Sequence, residues 1–226
     1  MLKAQFHAHA YGDPVDHIPY TPKTLIKRAA SLGYEVLSIT CHRKLLFNTD
    51  LKKYAQKLGI LLIPGIEFEI NKKHILGINV DKEIEKVDTF EKLRAYKSTH
   101  PECLIIAPHP FFPGKIALQK DLLNNIDLFD AIEYSFFYHK KKNYNEEAVK
   151  VAKRWKKPVI TTSDCHILEH LDAGFSLLDA TKNTKSVIDA VKKGKFQNMT
   201  NPSSYFKLGK ILLKMNLQNL FKPRAV

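Results

Sequence analysis

LKAQFHAHA, residues 2–10, is the segment on which the reading of the whole chain turns. Leu2 to Phe6 reads as a β-strand, and His7 and His9 follow it directly. Alternate residues of an extended segment point the same way. Two imidazoles placed so can face a single metal ion. One H-x-H pair carries little by itself, because core and surface histidines are common. Its weight depends on whether other strand ends carry the same chemistry.

They do. Glu35 to Thr40 (EVLSIT) reads as a second strand, with His42 just beyond it. Ile60 to Ile63 reads as a third, with Glu67 close behind. Cys103 to Ala107 (CLIIA) leads to His109, Ala131 to Tyr134 (AIEY) contains Glu133, and Pro158 to Thr161 (PVIT) leads to Asp164 and His166. Asp164 and His166 repeat the i, i+2 spacing, so they can add a carboxylate and an imidazole. Glu67 can bridge two ions with its two oxygens. Five separate strand ends with the same ligand chemistry are poorly explained by chance. Histidine and carboxylate without clustered cysteine suits Zn, Mn or Fe better than a structural thiolate site.

Between the strands lie amphipathic stretches. Pro22 to Leu32 is expected to be a helix, with Thr21 as N-cap, Pro22 in the first turn and Gly33 at the C-cap. Further helices are expected over Asp50–Leu58, Thr89–Ser98, Ile116–Asn124, Asn145–Lys156 and Thr184–Lys193. Phe68 to Val80 reads as a hairpin turning near Asn71, Lys72 and Lys73. Strands alternating with helices imply an α/β fold with a parallel sheet, open or closed into a barrel. In such a sheet the C-terminal strand ends share one face, where active sites form.

A length of 226 residues suits one domain with a sizeable core. No apolar run approaches the roughly 18 residues of a membrane span. Met1 to Phe6 lacks signal-peptide architecture. Cys41, Cys103 and Cys165 are an odd count without close pairing, which excludes a disulfide framework and is read as a reducing, cytoplasmic setting. The net charge of +13 favours anionic partners, although a solvated basic surface explains it as well. Tyr205 to Phe221 breaks the alternation, with lysines among loosely helical apolar residues. We read 1–200 as the domain and 201–226 as a basic tail, helical and docked, with nucleic-acid or membrane-surface contact as the alternatives.

The segments FHAHA (6–10), SITCH (38–42), LLIPGIEFEI (61–70), KHILGINV (73–80), IIAPHP (105–110), AIEY (131–134) and TTSDCH (161–166) together resemble the PHP superfamily, of polymerases and histidinol phosphatases. The resemblance spans residues 1 to about 200. It implies a distorted (β/α)7 barrel, two or three divalent metal ions and hydrolysis of phosphoesters by a metal-activated water. Carried over by position, the implied ligands are His7, His9, His42, Glu67, His74, His109, Asp164 and His166. His74 enters only through the resemblance. The family also places an acid or histidine soon after H-x-H; in AYGDPVDH, Asp13 is favoured over His17 and Asp16. Cys41 stands where the family commonly has Asp. Cys165 is expected to be structural, facing away from its two neighbours.

Glu67, Asp164 and Arg43, which follows His42, are the expected catalytic residues. Arg43, Lys115 and His139 are candidates for binding substrate phosphate, with Lys44 and Lys140 near them. His100 and His170 are expected to be structural or exposed. The expected substrate is an anionic phosphomonoester. The alternatives are an exonuclease or phosphodiesterase, whose bases could stack on Phe111, Phe112, Phe136, Phe137 or Tyr138, and a non-catalytic metal or nucleic-acid binding module.

Overall fold

Each predicted strand forms, and its end delivers the residue the sequence placed there. The computed structural model describes residues 1–220. Its elements run β1 (Leu2–Gln5), α1 (Pro22–Ser31), β2 (Val36–Ile39), α2 (Thr49–Lys57), β3 (Leu61–Ile70), β4 (Lys73–Ile78), α3 (Phe90–Thr99), β5 (Leu104–Ala107), α4 (Lys120–Asn124), β6 (Ala131–Ser135), α5 (Asn145–Trp155), β7 (Val159–Thr162), β8 (Gly174–Leu178), α6 (Thr184–Lys192), β9 (Phe196–Thr200) and α7 (Tyr205–Leu220). Of the expected tail segment, Phe221 and the residues after it lie outside the described residues.

Local chemistry sets the helix boundaries. Thr21, Asn48, Thr89 and Asn183 each accept a backbone N–H from the first turn of α1, α2, α3 and α6, a cap worth about 1 kcal/mol apiece. The helix expected from Ile116 starts only at Lys120. Gln119 takes a left-handed backbone (φ 52°) and Gly114 turns the chain before it (φ 136°), so no helix can run through them.

The sheet order is β7-β6-β5-β4-β3-β2-β1-β8-β9. It is mixed rather than wholly parallel. β1, β2 and β3 are parallel, as are β5, β6 and β7, while β4, β8 and β9 run against their neighbours. β3 does not stop at Ile63 but runs on to Ile70, and the hairpin turns through Asn71 and Lys72, both with positive φ. Pro64 and Gly65 are carried within the strand. A Cβ on Gly65 would stand 2.9 Å from Thr40 Cγ2 and 3.0 Å from Ser38 Cβ, so glycine permits the close approach of β2. β8 and β9 were not foreseen.

The sheet nearly closes into a barrel. At one end Thr161 N–H donates to Ser176 Oγ (3.2 Å) and Asn198 Oδ1 (2.9 Å), tying β7 to β8 and β9. At the other end the H-x-H segment, continuing β1, pairs in parallel with the Asp164–His166 segment, continuing β7. Ala8 is bridged to Cys165, His9 N–H donates to Cys165 O (3.0 Å), and Cys165 N–H donates to His7 O (3.2 Å). One buried cluster takes Phe6, Val36, Ile63, Leu76, Leu104, Ala131, Ile160 and Leu178 from successive strands, with Val187, Ile188 and Val191 of α6. A cluster shared by so many strands is the barrel interior. α6 closes it where the parallel strands begin, and Lys192 Nζ donates to Pro101 O (2.9 Å) just before β5. Two outer clusters pack α1 and α2 on one flank and α3, α4 and α5 on the other.

Candidate metal centre

The strand ends opposite α6 converge on one buried cage. His7, His9, His42, Glu67, His74, His109 and His166 are all buried, and Asp164 is the open edge with a side chain 25 % exposed. Glu67 sits at the middle. Its Oε2 lies 3.3 Å from His7 Nε2, 3.5 Å from His9 Nε2 and 3.1 Å from His42 Nε2. Its Oε1 lies 2.7 Å from His74 Nδ1 and 3.5 Å from His109 Nε2. Asp164 Oδ1 stands 3.2 Å from His7 Nε2 and 3.3 Å from His9 Nε2.

These atoms meet without satisfying one another. His7 Nε2, His9 Nε2, Glu67 Oε1 and Asp164 Oδ1 are buried, and none of their short approaches, that of Glu67 Oε1 to His74 Nδ1 included, is aligned as a hydrogen bond. Buried polar atoms are nearly always paired, so four such atoms aimed at one space are a donor set for cations. Three groupings put ligand atoms within 4.8 Å of one another: His7 with His9 and Asp164, His9 with His42 and His166, and His42 with Glu67 and His74. Imidazole and carboxylate donors of this kind suit divalent transition metals.

A further layer holds the rings. Glu133 is fully buried; its Oε1 receives His7 Nδ1 (2.8 Å) and the Thr162 hydroxyl, and its Oε2 accepts His109 N–H (2.7 Å). A proton kept on His7 Nδ1 leaves the Nε2 lone pair facing the cage. Asp13 does the same for two rings. Its Oδ2 lies 2.9 Å from His9 Nδ1 and 3.0 Å from His42 Nδ1, and its Oδ1 accepts Val15 and Asp16 N–H. Asp13 therefore stands behind the imidazoles and belongs to none of the three groupings, unlike the place the sequence suggested. Asp16 Oδ2 lies 3.0 Å from His166 Nε2. His17 is half-buried in the same loop. His109 and Asp164 take left-handed backbones, φ 30° and 40°, a strain typical of functional strand ends.

Electrostatics follow from this crowding. Burial disfavours the charged imidazole of His7, yet Asp164, Glu67 and Glu133 outweigh it and hold its pKa well above the usual histidine range. His166 is raised in the same way, against burial, by Asp164 and Asp16. His9 is lowered by burial and by its neighbours His166 and His42. Burial would raise Glu67 and Asp164, but the surrounding histidines hold both well below the carboxylate range.

The other expected residues lie further out. Arg43 is 59 % exposed and forks onto Glu69, which lies 3.9 Å from His74. Lys115 is exposed on the loop after His109. His139 stacks on Tyr205 of α7, with ring centroids 3.7 Å apart. His100 stacks on Tyr96. Cys165 is buried beside Tyr20, its thiol donating to Ile167 O and pushed up to about 12 by burial. Cys41 is buried against the backbone of Ala10. All three cysteines are free.

Beside the cage lies a cleft of about 370 Å³ that sequence reasoning did not foresee. His109, Asp164 and His166 form its floor, and Phe112, Phe137, Tyr144 and residues of α7 form its walls. His170 lies in the wall near Phe136.

Comparison with known proteins fits this geometry. Residues 142–196 match the PHP-associated family model. The uncharacterized protein MJ1587 of Methanocaldococcus jannaschii is 31 % identical over 164 residues, which is 66 % of this chain and 90 % of that protein. A Bacteroides vulgatus two-domain protein containing a predicted PHP-like metal-dependent phosphoesterase superposes with a TM-score of 0.67 at 18 % identity, over 95 % of this chain and 69 % of its own. The lesion-specific endonuclease PfuEndoQ of Pyrococcus furiosus shares the fold at a TM-score of 0.60 and 16 % identity, over 88 % of this chain and 57 % of its own; endonuclease Q has also been seen with a duplex carrying an abasic lesion at its active site. With the seven motif segments, the barrel-like sheet and these matches together, the chain belongs to the PHP superfamily.

Proposed function

We propose that the protein is a metal-dependent hydrolase of phosphoesters. The observation that carries this reading is the set of buried, unpartnered donor atoms on His7, His9, Glu67 and Asp164. Two or three divalent ions would be held by the overlapping groupings, with Glu67 contributing to the one it shares with His42 and His74. The chemistry such ions would supply there is polarisation of phosphoryl oxygens and a lowered pKa for water.

The chain's own residues supply the rest. Glu133 and Asp13 keep the rings of His7, His9 and His42 turned with a lone pair inward. Asp164, at the exposed edge and held ionised by the surrounding histidines, is placed to accept a hydrogen bond beside the substrate. Arg43, paired with Glu69 beside His74, is the candidate to exchange that carboxylate for a phosphoryl oxygen. A phosphomonoester is the favoured substrate.

Hydrolysis on nucleic acid is the second reading. The fold likeness to endonuclease Q and the net charge of +13 favour it. The test is a hydrolysis screen of mono- and diesters, including labelled oligonucleotides, with Mn, Zn or Fe supplied. Activity that is lost in His9→Ala and restored in wild type by metal supports the proposal. No turnover by fully loaded protein across the screen rejects it.

A further inference from the structure

The cleft beside the cage has a chemistry of its own. Its floor of His109, Asp164 and His166 belongs to the cage, so a group lying in the cleft is next to whatever reacts there. One wall is aromatic: Phe112 and Tyr144 are packed 5.3 Å apart, with Phe137 nearby. The other is Ile211, Leu212 and Met215 of α7. The helix is docked on the domain. Leu208 and Ile211 are buried against Phe136 and Ile167, and Lys214 Nζ reaches Glu169 at 3.0 Å.

What is absent from the walls matters as much. The chain has 36 lysines and arginines, yet among the described residues none is part of the cleft's lining, and the cation beside it is Lys142, whose Nζ stands 5.4 Å from the ring of Tyr144. A groove for nucleic acid is tracked by cations along its phosphates. A sugar phosphate would bury hydroxyls that need partners. Beyond the cage, the polar side chains offered are Ser135, Tyr144 and His170, and Ser135 Oγ already accepts Phe137 N–H.

Resting on the phosphoesterase reading above, we infer that the substrate is a phosphomonoester of an apolar alcohol, with its phosphoryl group at the cage and its hydrocarbon body in the cleft against α7. In hydrolysis a water oxygen bonds to phosphorus, the phosphorus–oxygen bond to the alcohol breaks, and the alcohol oxygen takes up a proton. The products are inorganic phosphate and the free alcohol.

Primary alkyl phosphates test this with the basicity of the leaving alcohol nearly constant. Burial of one methylene is worth about fourfold in binding, so kcat/KM for hexyl phosphate should exceed that for ethyl phosphate by a factor on the order of 100. Glycerol phosphate and oligonucleotides should fall at or below ethyl phosphate. In Leu212→Lys and Met215→Lys the dependence on chain length should flatten; Leu212 is 50 % exposed, so the helix tolerates the change. Binding of inert ethyl- and hexylphosphonate to metal-loaded full-length protein, followed by calorimetry, should show the same ratio. Equal rates for the short and long esters, or a slope unchanged in both variants, overturns the cleft assignment and leaves the hydrolase reading standing. Preference for oligonucleotides overturns it too. If no ester turns over, the hydrolase reading fails, and the two phosphonates still decide the cleft: equal affinity rejects it.

Discussion

Glu133→Gln separates a cage that is held for metal from one that is merely packed. The substitution keeps size and shape and removes one charge. Three donors converge on the two oxygens of Glu133: His7 Nδ1 and the Thr162 hydroxyl on Oε1, and His109 N–H on Oε2. A glutamine has one oxygen and one NH2 to offer. With its NH2 towards His109, two N–H groups face each other in a fully buried site. With its NH2 towards His7, the ring must accept at Nδ1 and carry its proton on Nε2, which blocks the nitrogen that faces Glu67 and Asp164. Either orientation costs a charge-assisted hydrogen bond of about 1.5–3 kcal/mol. Outer partners of metal-bound histidines typically contribute about 10–100-fold in affinity. The assay is competition for Mn or Zn against a chromophoric chelator, with metal-free thermal unfolding measured alongside. Expected is a 10–100-fold weaker affinity together with a lower metal-free melting temperature. A variant that binds metal as tightly as wild type refutes the reasoning, because the tautomer of His7 would then not matter.

Three other perturbations follow from the same geometry. The pKa values of His7, His42, His109 and His166 are raised, because burial, which alone would lower them, is outweighed by neighbouring carboxylates. Each contributes stability that is full below the ordinary value of 6.5 and lost as pH rises through the raised one; His9 runs the opposite way. Ion binding needs neutral imidazoles and strengthens over the same interval. The gap in melting temperature between metal-loaded and metal-free protein should therefore widen above pH 6.5, and a narrowing gap contradicts the assignment. In Gly174→Ala the new Cβ would stand 2.9 Å from Thr162 O and 3.0 Å from Phe136 Cβ. Urea titration should show a loss of about 1–3 kcal/mol, and an unchanged midpoint argues against so close an approach of β8 to β7. Arg43→Ala removes an exposed pair with Glu69, so stability should change by less than about 1 kcal/mol; kcat/KM should fall at least tenfold if Arg43 meets phosphate, and unchanged kinetics would return it to the solvated surface.

What the sequence made legible was the part written in strong local chemistry. The runs EVLSIT, CLIIA and PVIT are dense in β-branched and apolar residues, so their strands and the residues after them could be placed. Hence the cage, apart from His74, could be assembled from strand ends. His74 sits in the antiparallel β4, which the strand-end rule does not reach. β9 has no such signal, since Gln197, Asn198 and Met199 are exposed. It is a strand because of its pairing with β8 and the bonds of Asn198 to β7. Pro64 and Gly65 look like an ending and are not one, because β2 supplies the close packing that fixes them. Asp13 was visible as an acid soon after H-x-H, and Glu133 as an acid in the AIEY strand. Whether an acid stands in front of a ring or behind it depends on the fold of the intervening loop, and spacing does not encode that. The cleft was hidden for a similar reason: its walls come from segments as distant as Phe112 and Met215.

The central claim is that one buried cage holds divalent ions. The most direct measurement is elemental analysis of protein stripped with chelator, reloaded with Mn or Zn and passed over a desalting column. The account predicts two to three tightly held ions per chain, with at least one lost in Glu67→Gln and in His9→Ala. A reloaded wild-type protein that emerges with no stoichiometric metal, while folded and monodisperse, contradicts it.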